Sequence, residues 1–214
     1  MKYPRLLILG GAGKTGKKLV EEALQRGYQV TAMVRNPVAL AALQQDGLVA
    51  HRGDMTDTRA VNELLEQGFD AVLCTLGIFQ KEPGTPLADM TRPLLDAMEQ
   101  HGPRRFVLMS SLGVGDSKGQ GNLVVKFVTG WILRYVLVDK NLQEKHLRES
   151  NLDWTILRPP RLLENDEHRP HQLWQGRDYV QKPRWQISNR DAAKIMLDLL
   201  EATDTQHQAY QCSY

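Results

Sequence analysis

Short apolar runs alternate with amphipathic segments along most of the chain. The runs are too short for helices and rich in aliphatic residues, as expected for strands that are buried on both faces. The segments between them place apolar residues at helical spacing. This alternation predicts a mainly parallel sheet with helices on both faces. The predicted strands are residues 5–9, 28–34, 48–51, 71–75, 106–109 and 154–157.

Three amphipathic segments carry helix signals. Residues 15–26 place aliphatic side chains on one face and are followed by Gly27, a residue typical of helix C-caps. Residues 91–101 stop before a Gly-Pro pair. Ser188 begins the last helix, which runs to about residue 200 and has Asp191 in position to complete the cap. A C-terminal stretch, residues 209–213, is predicted to add an edge strand.

Residues 123–138 are unusually apolar, with Lys126, Thr129 and Arg134 as interruptions. Aromatic residues among the aliphatic ones would suit a membrane surface, but no continuous apolar run is long enough to span a membrane. We favour a helix that is buried over the sheet or partly covers an active site. A docking surface for a partner protein stays open as an alternative.

Composition and charge narrow the class of protein. The chain has 214 residues, 42% of them hydrophobic, and 27 basic and 25 acidic residues give a formal net charge of +2. This length fits one buried core, and the interspersed charges argue against a nucleic-acid surface. Two cysteines are too few for a disulfide framework, and the N-terminal apolar run is too short for a signal peptide. We therefore expect a cytoplasmic protein.

Residues 10–16, GGAGKTG, combine features of two phosphate-binding loops. Gly-Lys-Thr ends the loop that binds nucleoside triphosphates, but that loop also needs a glycine five positions before Gly13. Ile8, inside the first strand, occupies this position and excludes that loop. Gly10, Gly13 and Gly16 instead have the spacing of a dinucleotide-binding turn, which places a pyrophosphate at the start of the following helix.

The end of the second predicted strand indicates which dinucleotide. Sites for NAD usually have a carboxylate there that holds the ribose 2′-OH, and residues 29–36 contain no acidic residue. Arg35 suits a 2′-phosphate, because a guanidinium forms bidentate, charge-assisted hydrogen bonds. Lys14 adds a second positive charge within the turn. The predicted cofactor is NADP(H), and a solvated strand-end arginine is the alternative.

Further motifs follow in a characteristic order, and the whole set is residues 10–16, 34–36, 53–55, 76–77, 109–111, 147–155, 158–160 and 187–191. On these motifs the chain resembles the atypical short-chain dehydrogenase/reductases. It is most similar to the NAD(P)H-binding group that includes NmrA-like proteins and biliverdin reductase B, a flavin reductase. We expect one doubly wound Rossmann-type α/β domain over residues 1–214, with the strand order 3-2-1-4-5-6.

The resemblance implies roles for individual residues. Asp54 and Met55 would border the adenine, Leu76 and Gly77 would lie along the ribose and nicotinamide, and Ser111 matches a serine near the nicotinamide. Simple turn chemistry is the alternative for the two serines at the strand end. The candidate cofactor-binding residues are Gly10, Ala12, Gly13, Lys14, Thr15, Gly16, Arg35, Asp54, Met55, Leu76, Gly77, Ser110 and Pro159. The candidate catalytic residues are Ser111 and Lys140.

One departure from the resemblance bears on the reaction. Members that reduce ketones have a tyrosine four residues before the lysine that matches Lys140, and this chain has Val136 there. Tyr135 is one helical step away, which turns its side chain by about 100°. A ketone needs a positioned acid, whereas a flavin, quinone or bilin spreads the incoming charge and takes its proton from water.

We therefore interpret the chain as an NADPH-dependent oxidoreductase that transfers a hydride to a flavin or similar planar conjugated acceptor. The alternative is a non-catalytic NADP(H)-binding redox sensor or assembly factor of the NmrA-like type, with a partner protein. An enzyme is favoured over a sensor. We expect no membrane span and no nucleic-acid partner.

The remaining polar clusters allow more than one interpretation. Residues 164–171 could hold a metal ion, but a polar lid is favoured because no convergent set of ligands is evident, and no metal is predicted. Arg158 and Arg161 could meet an anionic substrate. A structural anchor at the strand end is the alternative for Arg158.

Overall fold

The computed structural model describes residues 2–165, 168–179 and 181–214. Its strands are β1 (Arg5–Leu9), β2 (Gln29–Val34), β3 (Leu48–Arg52), β4 (Ala71–Cys74), β5 (Arg105–Met109), β6 (Asp153–Arg158), β7 (Arg161–Leu163), β8 (Gln172–Trp174), β9 (Gln186–Ser188) and β10 (Gln208–Ser213). Its α-helices are α1 (Lys14–Gln25), α2 (Thr58–Leu65), α3 (Pro86–His101), α4 (Leu123–Phe127), α5 (Arg134–Glu149) and α6 (Asn189–Glu201). Short 3₁₀ turns span Pro37–Leu43 and Gly115–Ser117, and a π-helical turn spans Val128–Ile132.

The central sheet confirms the predicted order. Its strands run β3-β2-β1-β4-β5-β6-β10-β8, and the pairs from β3 to β10 are parallel. The register of β1 places Leu9 opposite Met33 of β2 and Cys74 of β4. The carboxyl ends of these strands therefore meet at one edge, where open α/β sheets bind ligands.

Two hydrophobic clusters sandwich the sheet. One contains side chains of α1 and α6, and the other contains side chains of α2, α3 and α5. Residues of β1 alternate between the two, with Leu6 and Ile8 in the first cluster and Leu7 and Leu9 in the second. Burial on both faces explains why the strands are continuous apolar runs.

The C-terminal strand corrects one prediction. The stretch predicted as an edge strand, residues 209–213, lies within β10, which pairs with β6 on one side and antiparallel with β8 on the other. β8 is therefore the edge. It has only three residues, Gln172–Trp174, too few to show a strand period in the sequence.

Helix α3 begins five residues before the predicted start. Pro86 is its first residue, and the preceding Thr85 makes no capping hydrogen bond with its side chain. The cap comes from α5, where the carboxylate of Asp139 accepts hydrogen bonds from the N–H groups of Leu87 and Ala88, both at 2.9 Å. A cap supplied from 52 residues away leaves no local signal, so the start was missed.

The predicted capping of α6 by the Ser188 side chain is confirmed. The prediction that the Asp191 side chain completes this cap is wrong. The Ser188 side chain accepts from the N–H of Asp191 at 3.0 Å, as predicted. The N–H of Ser188 donates to the hydroxyl of Tyr214 at 3.0 Å, and Asp191 accepts from that hydroxyl at 2.7 Å. The hydroxyl of Tyr214 thus takes the place of the Asp191 carboxylate as the acceptor for the N–H of Ser188.

Residues 123–132 of the apolar stretch are not buried over the sheet, which corrects that interpretation for them, whereas Val136, in the first turn of α5, is buried. α4 and the π-helical turn lie on the surface, and no side chain of either is buried. Several of their side chains do line a cavity beside Ser111, so the prediction that the segment covers part of a site fits better. Within the described residues, no helix is long and apolar enough to cross a membrane.

Candidate functional site

The glycine turn after β1 is tightly closed on itself. Gly10 has a φ of +82°, a region that favours glycine, and its carbonyl accepts from the N–H of Gly13 at 2.9 Å. A Cβ on Gly16 would overlap the carbonyl oxygen of Gly10, so α1 starts directly against the turn. A side chain on Gly10 would press on Thr75 and Leu76 after β4. The spacing therefore serves the turn geometry that the sequence predicts.

The start of α1 is open for an anion. Gly13 is the N-cap in extended conformation, makes no side-chain capping bond, and no acidic residue occupies the first helical turn. The first N–H groups of a helix have no partner within it, and together with the helix dipole they favour negative charge. The donor set fits a pyrophosphate at this position.

The side chains of Lys14 and Thr15 are engaged elsewhere. Thr15 is buried, and its hydroxyl donates to the Oδ1 of Asn189 at 2.6 Å. Asn189 in turn donates to the carbonyl of Leu163 at 2.9 Å. Lys14 forms an exposed ion pair with Glu164. The N–H of Thr15, rather than its hydroxyl, is therefore open to a phosphate. The exposed Lys14 ammonium would contact a phosphate only by exchanging its ion pair with Glu164.

Arg35 lies exposed directly after β2, where the sequence analysis places the 2′-phosphate. Asp54, which follows β3, lies close enough to Arg35 for their charges to interact. Hydrogen bonds from the N–H and hydroxyl of Thr56, at 3.0 and 2.9 Å, together with the positive charge of Arg35, lower the pKa of Asp54. Met55 packs against the core cluster on the α2 side. The adenine roles of Asp54 and Met55 stay predictions.

Lys140 ties together the ends of two central strands. Its buried ammonium donates to the carbonyl of Met109 at 3.2 Å and to that of Leu76 at 3.4 Å. Burial lowers its pKa, against the opposing effect of nearby Cys74, Glu144 and Asp139. Gly77, beside Leu76, has open space where a Cβ would be, so the backbone there is accessible to a ligand.

The two serines after β5 differ in their surroundings. Ser110 is buried and held by its N–H to Leu157, and its hydroxyl has no partner among the described residues. Ser111 is partly exposed, and its hydroxyl donates to Leu112 at 3.2 Å. The carbonyl of Pro159 accepts from the N–H of Leu112 at 2.9 Å, which joins the ends of β5 and β6.

A cavity of about 400 Å³ opens beside Ser111. Its lining is mostly apolar and includes Val124, Val128 and Leu133 from the surface segment. The guanidinium groups available to it belong to Arg161 and Arg184, and neither forms an ion pair within the described part of the chain. The full lining is Ser111, Leu112, Asn122, Val124, Val125, Val128, Thr129, Leu133, Pro160, Arg161, Arg184, Trp185 and Gln186.

Trp185 and Arg184 line the cavity although no sequence pattern pointed to either residue. Trp185 has a φ of +57°, rare for an aromatic residue, and its ring packs edge-on against Trp174 at a centroid distance of 6.3 Å. Backbone strain of this kind occurs where the surrounding packing enforces it, often beside binding sites. No local sequence pattern predicts this contact, because Trp174 and Trp185 are brought together by the tertiary fold.

Arg158 is a structural anchor, which settles that alternative. It is fully buried and forms two hydrogen bonds with Glu144, at 2.9 and 2.6 Å, and an ion pair with Asp116. Burial opposes its charge, yet these carboxylates raise its pKa. Gly115, with a φ of +56°, leaves the room that the guanidinium fills. Of Arg158 and Arg161, the one that lines the cavity is Arg161.

The loop after β7 shows no metal site in its described part. Across residues 2–165, 168–179 and 181–214, no group of three or more His, Cys, Asp or Glu side chains is arranged to hold a metal ion. Asp166 and Glu167 of the predicted lid lie outside the described residues. His168 pairs with Asp191 through its Nδ1 at 2.6 Å.

Tyr135 does not replace the missing tyrosine. Its ring lies under the guanidinium of Arg134, 4.5 Å from the ring centroid, and its hydroxyl accepts a hydrogen bond from the same group at 3.0 Å. Val136 is buried on α5, one turn before Lys140. The position from which a phenol would act is therefore occupied by an aliphatic side chain.

Residues 10–203 match a protein family described as NAD(P)H-binding. A chloroplastic protein of Arabidopsis thaliana is 32% identical over 171 residues, which cover 74% of this chain and 59% of that protein. The photosystem II assembly factor Ycf39 of Synechocystis is 28% identical over 162 residues, covering 72% of this chain and 43% of that protein. The chain thus spans about half the length of these curated relatives.

Solved structures match over nearly the whole length. ChuY, an anaerobilin reductase of Escherichia coli O157:H7, is 27% identical with a TM-score of 0.80, covering 98% of this chain and 96% of that chain. A short-chain dehydrogenase/reductase of Veillonella parvula in complex with NADP has a TM-score of 0.80 at 18% identity, covering 99% and 95%, which supports the fold alone. This chain belongs to the NAD(P)H-binding family and has the fold of an atypical short-chain dehydrogenase/reductase.

Proposed function

We propose that the protein is an NADPH-dependent reductase that transfers a hydride to a flavin or a similar planar conjugated acceptor, such as a bilin. The observation that carries this proposal is the apolar cavity beside Ser111. It opens at the carboxyl ends of β5 and β6, the edge at which α/β sheets bind their ligands. The proposed nicotinamide position, next to Leu76 and Gly77, lies at the same edge, after β4.

The chain offers donors for each part of the cofactor. The N-terminus of α1 would hold the pyrophosphate, and Arg35 and Lys14 would meet the 2′-phosphate. When bound, NADPH would supply the hydride, and with one proton from water the acceptor would leave as its dihydro form and the cofactor as NADP⁺. The Lys140 ammonium is hydrogen-bonded to the carbonyls of Leu76 and Met109. It would thereby fix the two chain segments that we place beside the nicotinamide.

The acceptor would be oriented by shape and by charge. Valine side chains and Trp185 form apolar walls that suit a planar ring system. Arg161 and Arg184 suit the carboxylates or phosphates that bilins and flavins carry. Ser111 would place a hydroxyl near the reacting face and orient or polarise the acceptor.

Val136, at the position of the expected tyrosine, supports a conjugated acceptor. Val136 offers no proton, and a simple ketone would need one as the hydride arrives. A conjugated system delocalises the charge, so holding two planar partners together is the main task of the protein. The similarity to ChuY over nearly all of both chains supports the same class of acceptor.

The test is loss of NADPH absorbance with a panel of acceptors: a flavin, a bilin, an uncharged quinone and an aliphatic ketone. Turnover is expected with the conjugated acceptors and not with the ketone. Arg161→Gln should raise KM for the flavin phosphate and the bilin while leaving that for the uncharged quinone unchanged. Rapid ketone reduction with inert flavins and bilins would overturn the proposal.

A second candidate is a non-catalytic NADP(H)-binding redox sensor or assembly factor. The observation in its favour is that both hydrogen bonds of the Lys140 ammonium go to backbone carbonyls, so one of the two candidate catalytic residues already has a structural task. The likeness to an assembly factor over 72% of the chain supports it as well. NADPH binding without oxidation by any acceptor, together with a co-purifying partner protein, would favour this candidate.

A further inference from the structure

The surface segment from α4 through the π-helical turn exposes five large apolar side chains, which we call the apolar ridge: Leu123, Val124, Phe127, Trp131 and Ile132. Their exposed fractions are 84, 70, 59, 69 and 50%. Among the described residues, eleven large hydrophobic side chains are exposed, and six lie between residues 123 and 138. Such clustering on a protein surface marks an interaction site rather than chance exposure.

The aromatic side chains of the ridge pack against each other. Leu123, Phe127 and Trp131 follow each other at intervals of four, which aligns side chains along one face of a helix. The rings of Phe127 and Trp131 stack, with centroids 6.5 Å apart and an angle of 16° between their planes. The two largest members of the ridge therefore present a joint aromatic surface.

Positive charge flanks the ridge. Lys118, Lys126 and Arg134 line a second cavity, of about 560 Å³, and no acidic residue contributes to its described lining. Residues 118–138 contain these three cations and no aspartate or glutamate, so the stretch carries +3, against +2 for the whole chain. Basic and acidic residues are nearly equal in number over the whole chain, but the segment that carries the ridge has an excess of positive charge.

We propose that the apolar ridge binds the surface of an anionic lipid bilayer. Its aromatic and aliphatic side chains would enter the boundary between headgroups and acyl chains, and Lys118, Lys126 and Arg134 would contact lipid phosphates. A bilayer fits better than a protein partner, because protein interfaces deplete lysine relative to the rest of the surface. Attachment would be peripheral, since no helix of the described residues could span the membrane.

The ridge adjoins the acceptor cavity. Val124 belongs to both, and Val125 and Val128 of the same segment also line the cavity. A bound bilayer would therefore lie next to the opening beside Ser111. The binding itself rests on the ridge and its charges and does not depend on the proposed reaction.

The test is flotation of the full chain with vesicles of phosphatidylcholine, with and without phosphatidylserine. We expect binding to the anionic vesicles and its loss at high salt, because screening weakens the contacts of exposed charges. Trp131→Ser and Lys126→Glu should each lower the bound fraction at least tenfold. Val49→Ser, an exposed apolar residue on β3, and Lys145→Glu, an exposed lysine further along α5, are matched controls that should bind normally.

Tryptophan fluorescence gives a second reading. Of the four tryptophans, Trp131 is exposed and Trp154, Trp174 and Trp185 are buried. Anionic vesicles should shift the emission to shorter wavelength, and Trp131→Phe should abolish the shift while retaining flotation. Absence of binding to anionic vesicles, or equal binding to neutral ones, would overturn the proposal. So would a dimer that Trp131→Ser dissociates, because the ridge would then join two copies of the chain.

Discussion

The phosphate turn after β1 and the acceptor cavity beside Ser111 lie at the same edge of the sheet but are assembled differently. The turn uses consecutive residues, 10–16, whose conformation is dictated by glycines. The cavity draws its walls from four separate segments: residues 111–112, 122–133, 160–161 and 184–186. The first is therefore a local structure, and the second exists only once the chain has folded.

This difference separates what the two regions contribute to function. Backbone N–H groups at the start of α1 recognise an anion regardless of neighbouring side chains. The cavity depends on side chains that loops and surface helices position, and such segments vary without altering the sheet. In the proposed function, the class of cofactor would thus follow from the turn, whereas the choice of acceptor would follow from the cavity walls.

The largest expected effect concerns the turn. Gly16→Ala would drive a Cβ into the carbonyl of Gly10, and neither backbone can move freely. We expect a loss of about 3 kcal/mol in unfolding free energy and at least a tenfold weaker affinity for NADPH. Urea unfolding and fluorescence titration would measure these. Gly130→Ala is the control, since its Cβ would meet nothing within 4 Å, and normal behaviour of both variants would contradict the local account.

The next largest effect should come from a long-range contact, outside the glycine turn. Asp191 accepts hydrogen bonds from His168, Tyr214 and the N–H of Arg169, at 2.6, 2.7 and 3.2 Å. Asp191→Ala removes all three from a buried position, and we expect a loss of about 2 kcal/mol in unfolding free energy. The cap at Ser188 uses the backbone of residue 191 and should survive.

The same carboxylate gives a pH dependence. Burial would raise the pKa of Asp191, but the hydrogen bonds from His168, Tyr214 and Arg169 prevail and lower it. A lowered folded pKa stabilises the protein above the unfolded value, about 4, and this contribution disappears as the pH falls through the folded pKa. The stability difference between the unmodified protein and Asp191→Asn should therefore shrink as the pH falls below about 4. A stability difference that stays the same from neutral to acidic pH would contradict this role of the Asp191 carboxylate.

The same contrast explains which features the sequence could predict. The strands β1 to β6, their order and the glycine turn were evident, because buried runs and glycine spacing are local signals. The start of α3 was missed because its cap, Asp139, comes from α5. The exposure of residues 123–132 was missed because an apolar stretch predicts burial. Trp185 and Arg184 reach the cavity through tertiary contacts that no sequence pattern records.

A smaller effect tests cofactor choice within the local region. Arg35→Asp should weaken NADPH at least tenfold, or about 1.4 kcal/mol, because it replaces a charge-assisted phosphate contact by repulsion. NADH should bind no worse. Arg59→Asp, an exposed arginine on α2, is the matched control for the change of charge. Equal affinities of the unmodified protein for NADPH and NADH would contradict the role of Arg35.

The smallest expected effect lies where the two regions meet, at Ser111. Ser111 lines the cavity, and among the described residues its hydroxyl is bonded only to the carbonyl of Leu112, at 3.2 Å. One neutral hydrogen bond contributes about 1 kcal/mol, so Ser111→Ala should lower kcat roughly fivefold if the hydroxyl orients or polarises the acceptor. KM for NADPH should change much less than kcat, because the phosphate contacts proposed at the start of α1 and at Arg35 do not involve this hydroxyl. A loss of a thousandfold or more would instead identify Ser111 as an obligatory catalytic residue, and an unchanged kcat would remove it from the site.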